Sequence, residues 1–144
     1  ARAIIPTIIS QCLSEKKIIK LGDLSPTRDF TYVKDTCSGL IAIMNSSKTV
    51  GKTINIGSNN EFSVKEILDH IQKLTGNKLD VSFESERIRP KASEVYRLRC
   101  DNTLLKKISD FEIKYDFIEG LKDTIQWFQQ NDNLSKYKSN IYNI

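Results

Sequence analysis

The stretch SVKEILDHIQKLTGNKLDVSFE, residues 63–84, is a helix and a strand written back to back. Ser63 and Glu66 stand at capping-box spacing, in which the serine hydroxyl accepts from the backbone three residues on and the glutamate returns the bond. Val64, Ile67, Leu68, Ile71 and Leu74 then recur on one helical stripe, and Gly76 supplies a left-handed stop. LDVSFE (79–84) follows as a strand. A helix closed by its own punctuation and followed at once by a strand is the unit from which α/β layers are built.

Working upstream, KTINIG (52–57) reads as a strand of the kind buried on both faces in a parallel sheet. DFTYV (29–33) and KIIKLG (17–22) read as two more strands, the latter closed by Gly22. Asp35 can cap a helix whose apolar positions are Leu40, Ile41, Ile43 and Met44. Ile4, Ile5, Ile8, Ile9, Cys12 and Leu13 predict a first helix starting near residues 3–5, where Pro6 falls in the first turn. Downstream, residues 102–108 predict a short helix. Asp116 with Glu119 repeats the capping-box spacing before Leu121, Ile125, Trp127 and Phe128. From Asn131 the sequence is polar and reads as a frayed tail. The alternation predicts an α/β architecture, with residues 1–130 as one domain or most of one and 131–144 as the tail.

Composition agrees with a folded, water-exposed protein: of 144 residues, 39% are hydrophobic and 28% charged, and three are prolines. No apolar run approaches the roughly 18 residues of a membrane span, and no basic-then-apolar leader opens the sequence. A cytoplasmic protein without membrane partners is the expectation. The sequence does not begin with Met and is already in helical register by residue 4, which predicts further sequence upstream. Cys12, Cys37 and Cys100 are odd in number and widely spaced, so they read as buried or half-buried thiols, not a disulfide framework or a zinc site. His70, the single histidine, falls on a helix flank with no triad or metal partner in sequence. The net charge of +4 is mild and the lysines are scattered, an arrangement that argues against nucleic acid and suits a small polyanion.

The motifs of catalysis are absent. The glycines at 22, 39, 51, 57, 76 and 120 form neither a G-x-G-x-x-G turn nor a P-loop. None of the tyrosines has a lysine four residues on, and there is no G-x-S-x-G or H-E-x-x-H. These residues therefore predict binding, with no catalytic side chain and no metal ligand set among them.

Three places could bind. Arg28 follows Pro26 at the mouth of a strand, where its planar fork matches phosphate oxygens two at a time or pairs with Asp29 or Asp35. ERIRPKASEVYRLRCD (86–101) carries Arg87, Arg89, Arg97 and Arg99. In an extended backbone each pair shares a side, and Pro90 biases Arg89 toward that conformation. A solvated basic loop is the alternative. Asn55 interrupts the apolar TINIG, where a buried amide braces the backbone or meets a ligand.

GDLSPTRDFTYVKDTCSGLIAIM, TINIGSNNEFSVKEIL and RIRPKASEVYRLRCDNTLLKK, in that order, resemble successive motifs in the C-terminal half of extended short-chain dehydrogenase/reductases that act on nucleotide sugars. Within them, ARAIIPTIISQ with RIRPKASEV is most similar to NAD-dependent 4,6-dehydratases of the legionaminic-acid type. The resemblance implies an α/β fold that is the substrate-binding part of an extended Rossmann-type enzyme, with the NAD-binding core and the catalytic Tyr-x-x-x-Lys outside these residues. It implies a nucleoside diphosphate sugar as ligand, with Arg28 and Arg89 on the diphosphate, Asn55 and Glu94 near the nucleoside, Ile19 to Leu21 along the base, and the helix start at Arg2 to Ile4 as a further wall. It also implies C4 oxidation, loss of water across C5 and C6, hydride return to C6, and a homodimer formed through the other half. A 4-epimerase or a decarboxylase of the same superfamily, or a binding module without catalysis, are the alternatives. DFEI (110–113) departs from the family pattern, where Gly-Trp-x-Pro is common.

Overall fold

The computed structural model describes residues 3–87, 94–130 and 132–137. In chain order its elements are α1 (Ile4–Cys12), β1 (Ile18–Leu21), β2 (Thr27–Arg28), α2 (Val33–Asn45), β3 (Phe62–Ser63), α3 (Val64–Thr75), β4 (Asp80–Phe83), β5 (Arg97–Leu98), α4 (Thr103–Ile108) and α5 (Phe117–Gln129). The α/β reading therefore holds. The chain divides into two compact units, one drawn from residues 1–26, 63–96 and 121–144 and the other from 27–62 and 97–120.

In the first unit β1 and β4 lie parallel, with Ile19 opposite Val81 and Leu21 opposite Phe83. The strand alternates as its period of two requires: Ile19 and Leu21 are buried, Ile18 and Lys20 exposed. Ile8, Ile9 and Cys12 of α1 and Ile67, Leu68 and Ile71 of α3 complete this core. The capping box of α3 forms in both directions, and Gly76 closes the helix at φ 72°. Gln11 is buried in α1 and plays the part of a neighbouring strand. Its Oε1 accepts from Lys20 N at 2.9 Å, and its Nε2 donates to Lys20 O at 3.3 Å and to Thr7 O at 3.2 Å. One side chain thereby satisfies both backbone groups of an edge residue. Leu121, Ile125 and Phe128 of α5 are buried, and the ring of Tyr137 packs 4.7 Å from that of Phe128. Of the expected tail, residues 132–137 carry a short turn at Leu134–Lys136 that leads to Tyr137.

In the second unit β2 pairs in parallel with β5, in a sheet ordered β3-β2-β5. The strand expected over 29–33 does not form. The ladder ends where Asp29 N donates to Leu98 O at 2.9 Å, and the following aromatic residues turn aside to pack. Phe30 lies 6.2 Å from Phe117, and Tyr32 stands edge-on to Tyr115 at 5.0 Å. Residues 52–57 also form no ladder among the described residues. They still alternate, with Ile54 and Ile56 turned partly inward and Asn55 outward, and Ile56 closes over Gly39 of α2, leaving no space for a side chain there. Asp35 does not cap α2. It is the third residue of the helix, buried, and accepts from Lys114 N at 3.0 Å and Tyr115 N at 3.2 Å.

One expectation about exposure is corrected. Cys37 is exposed, whereas Cys12 is buried and Cys100 half-buried, because Cys37 lies on the outward stripe of α2 with Val33, Leu40, Ile41 and Met44. No described helix is long and apolar enough to cross a membrane.

Candidate functional site

Arg28 is the second residue of β2 and is half-buried. Its Nη1 donates to the carbonyl of Thr27 at 2.8 Å, which folds the guanidinium back over its own strand. The residues on either side are held from outside the strand. Thr27 Oγ1 donates to Glu61 Oε2 at 2.8 Å. Glu61 is bound in turn by Arg97, whose Nε lies 2.7 Å and Nη2 2.6 Å from Oε1. Hydrogen bonds from Arg97 first, and from Thr27 second, hold the Glu61 carboxyl below its ordinary value.

On the other side, Asp29 is the centre of a denser network. Its Oδ1 accepts from Ser58 N (3.0 Å), Ser58 Oγ (2.7 Å) and Thr31 Oγ1 (3.3 Å); its Oδ2 accepts from Asn59 N (2.8 Å) and Cys100 N (3.2 Å). Asn59 is held in the left-handed region at φ 60°, a conformation that amides tolerate better than most side chains. Beside it, Gly57 passes so close to Cys100 that a Cβ would meet both Cβ and Sγ of the cysteine. The carbonyl of Gly57 accepts from Nδ2 of the buried Asn102 at 2.7 Å. Burial first, then Asp29 and Asp101, raise the Cys100 thiol above its ordinary value.

The other residues singled out from sequence fare unequally. Asn55 is exposed, so the premise of a buried amide fails; among the described residues the buried amides are Gln11 and Asn102. Ile19 and Leu21 have side chains inside the first unit's core, so only the backbone of β1, or Ile18 and Lys20 on its other face, can meet a ligand. Glu94 is half-buried in that same unit. Arg89 and Arg2 lie outside the described residues. Arg87 belongs to a turn at Ser85–Arg87 instead of an extended run, and its side chain is buried against Glu84 at 2.7 Å. Arg97 is exposed on β5 and tied to Glu61, so of the two only Arg87 departs from the solvated arginine that the sequence allowed.

Asp29, Glu61 and Asn102 were not anticipated as organisers. Apart from Thr31, the partners of Asp29 lie 29 to 71 residues away, and that of Asn102 lies 45 away, beyond the reach of any local pattern. Among the described residues no group of His, Cys, Asp and Glu side chains could hold a metal. Nor do the glycines make a phosphate cradle. Gly22, Gly39, Gly57 and Gly120 admit close packing by Arg87, Ile56, Cys100 and Tyr32, while Gly51 and Gly76 serve turns at φ 72°.

A family model described as GDP-mannose 4,6 dehydratase matches residues 1–124. A UDP-N-acetyl-alpha-D-glucosaminuronate decarboxylase from Bacillus cytotoxicus is 36% identical over 132 residues, which are 90% of this chain and 41% of that protein. Among solved structures, an epimerase from Methanothermobacter thermautotrophicus superimposes with a TM-score of 0.83 at 31% identity, over 94% of this chain and 40% of the other. A dTDP-glucose 4,6-dehydratase from Bacillus anthracis, solved in complex with NAD, gives 0.78 at 30% identity, over 90% of this chain and 40% of that one. The chain thus spans about two fifths of the length of the relatives it matches.

Proposed function

This chain belongs to the GDP-mannose 4,6-dehydratase family of extended short-chain dehydrogenase/reductases, and from that premise we propose that it supplies the substrate-binding part of an NAD-dependent enzyme acting on nucleoside diphosphate sugars. The observation that carries this reading is the mounting of Arg28. It is half-buried at the end of a strand, with the residues before and after it both bonded to the 58–61 segment and Asp29 bonded also to Cys100 N. A guanidinium at this position can offer a planar donor fork to a diphosphate once it exchanges its bond to the Thr27 carbonyl for the ligand. Arg89, Glu94, Asn55 and the backbone of Ile19 to Leu21 are proposed to complete the ligand contacts. The exposure of Asn55 suits a ligand contact better than a structural brace.

The residues present do not fit an NAD site, since every glycine is committed to packing or to a turn. The share of the reaction borne by this chain is accordingly confined to the substrate. Binding energy from the nucleoside diphosphate, remote from the reacting carbons, is used to fix the hexose in place.

The reaction favoured by the sequence resemblance is 4,6-dehydration of the sugar. Decarboxylation or 4-epimerisation is the second reading, supported by the decarboxylase and the epimerase among the similar proteins. The whole protein is proposed to be a cytoplasmic homodimer.

Calorimetric titration of the whole protein with UDP, GDP and dTDP separately tests the binding claim. Arg28→Leu is expected to weaken the tightest of these by at least about tenfold, near 1.4 kcal/mol, with the thermal transition unmoved. Unchanged affinity in the variant rejects Arg28 as a ligand. Mass spectrometry of the turned-over sugar separates the reactions, because dehydration loses water, decarboxylation loses carbon dioxide and epimerisation leaves the mass unchanged.

A further inference from the structure

Asp29 is adjacent to Arg28, yet its carboxylate contacts bind other segments. It gathers the 57–59 loop through Ser58 and Asn59, the chain beyond β5 through Cys100 N, and its own turn through Thr31. Its backbone N–H closes the last ladder bond of β2 on Leu98. A strand two residues long has little of its own to fix the direction of a side chain. The direction of Arg28 is therefore set by what grips residues 27 and 29.

The two grips differ in kind. Glu61 on Thr27 is a single bond to a carboxylate that is itself held by the exposed Arg97. Asp29 instead spends both oxygens on a convergent set of five donors, three of them backbone N–H groups from two distant segments. It also holds Asn59 in its left-handed conformation, which a chain without that bond has less reason to adopt. A carboxylate is the only side chain of this size that accepts on every side; an amide offers a donor at one of its two positions.

We infer that Asp29 is a positioning residue for Arg28: it does not touch the ligand, but locks the backbone from which the guanidinium reaches the diphosphate. This rests on the reading of Arg28 as a diphosphate ligand. Ordering the arginine before binding lowers the entropy lost when a ligand freezes it, so the benefit appears in affinity as well as in stability.

A double-mutant cycle in the whole protein separates positioning from ordinary structural loss. The probe is whichever of UDP, GDP and dTDP binds the unsubstituted protein most tightly, and the variants are Asp29→Asn, Arg28→Leu and the pair. Asp29→Asn keeps the shape and places an N–H2 against either Asn59 N and Cys100 N or Ser58 N, breaking the set in both orientations. It is expected to weaken the probe about tenfold alone and less than about twofold when Arg28 is already leucine. Ser58→Ala, which removes one hydroxyl and leaves the backbone bonds, is the milder companion should Asp29→Asn fail to fold. Its smaller loss must vanish in the same background. Losses that add in full across the cycle, or wild-type affinity in Asp29→Asn and Ser58→Ala, overturn the inference. An Arg28→Leu protein of normal affinity is a different failure, since it removes the ligand assignment beneath the inference and not only the role of Asp29.

Discussion

The carboxylate of Asp35 lies 3.0 Å from the backbone nitrogen of Lys114, 79 residues further along the chain, and is only 1% exposed. Its other oxygen takes the next N–H, that of Tyr115, at 3.2 Å. One side chain in the first turn of α2 thus fastens the loop that leads into α5. Asp35→Ala is expected to orphan both N–H groups and to lower unfolding stability by about 3 kcal/mol, since each costs roughly 1–3 kcal/mol when unsatisfied and part of this relaxes. A midpoint shift in urea that, multiplied by an unchanged slope, amounts to less than about 0.5 kcal/mol would show the contact to be incidental.

Helix α3 is specified by its ends as much as by its stripe. Ser63 Oγ accepts from Glu66 N at 3.1 Å and Glu66 Oε2 accepts from Ser63 N at 2.7 Å. Ser63→Ala is expected to cost about 1 kcal/mol, and Gly76→Ala a similar amount because φ 72° is unfavourable for a side chain. Thermal melts of the two single variants and the pair check both values, and the pair is expected to be additive because the sites are at opposite ends of the helix.

Acid weakens two ion-pair clusters. Glu61 is held below its ordinary value by Arg97 and then Thr27, and Glu84 by Lys20 and then Arg87. A carboxyl titrating lower in the folded than in the unfolded chain contributes stability that is complete above the ordinary value of 4.5 and disappears as the pH falls through the folded one. Stability is therefore expected to be level from about pH 7 to about pH 5 and to decline below. Glu61→Gln and Glu84→Gln should each reduce that decline. Arg97 and Lys20 are exposed, so raising the salt should reduce it as well, less so for Glu84, whose second partner Arg87 is buried.

Cys12 is enclosed in the first unit's core, where burial pushes its thiol up to about 11. Little thiolate is present at neutral pH, and reagent cannot reach it. In alkylation followed by mass spectrometry it is expected to remain unlabelled in the native protein and to label once urea unfolds it. Labelling of Cys12 at the rate of a free thiol under native conditions would contradict the packing.

Local signals carried much of the fold. The first helix, β1, the whole of α3 with both caps, β4, α4 and the capping box of α5 lie within a residue or two of where spacing and punctuation put them. Each of these depends on residues at most a few positions apart. DFTYV failed for the opposite reason: its β-branched and aromatic composition is that of a strand, but a strand exists only where a neighbour offers a ladder, and here Phe30 and Tyr32 pack on rings near residues 115–117. Asp35 and Asn55 were misread alike, one as a cap and one as a buried amide, because exposure is not written in the residue itself.

Of the candidate site, the sequence by itself determined which chemistry was available: an arginine at a strand mouth, an asparagine within an apolar run, a basic segment, and no catalytic constellation. Only the tertiary structure decided how Arg28 is held, because Asp29 collects donors from residues 58, 59 and 100 and Glu61 joins Thr27 to Arg97. A hydrogen bond acts over about 3 Å whatever the separation along the chain, whereas a sequence motif is legible only where that separation is short and regular.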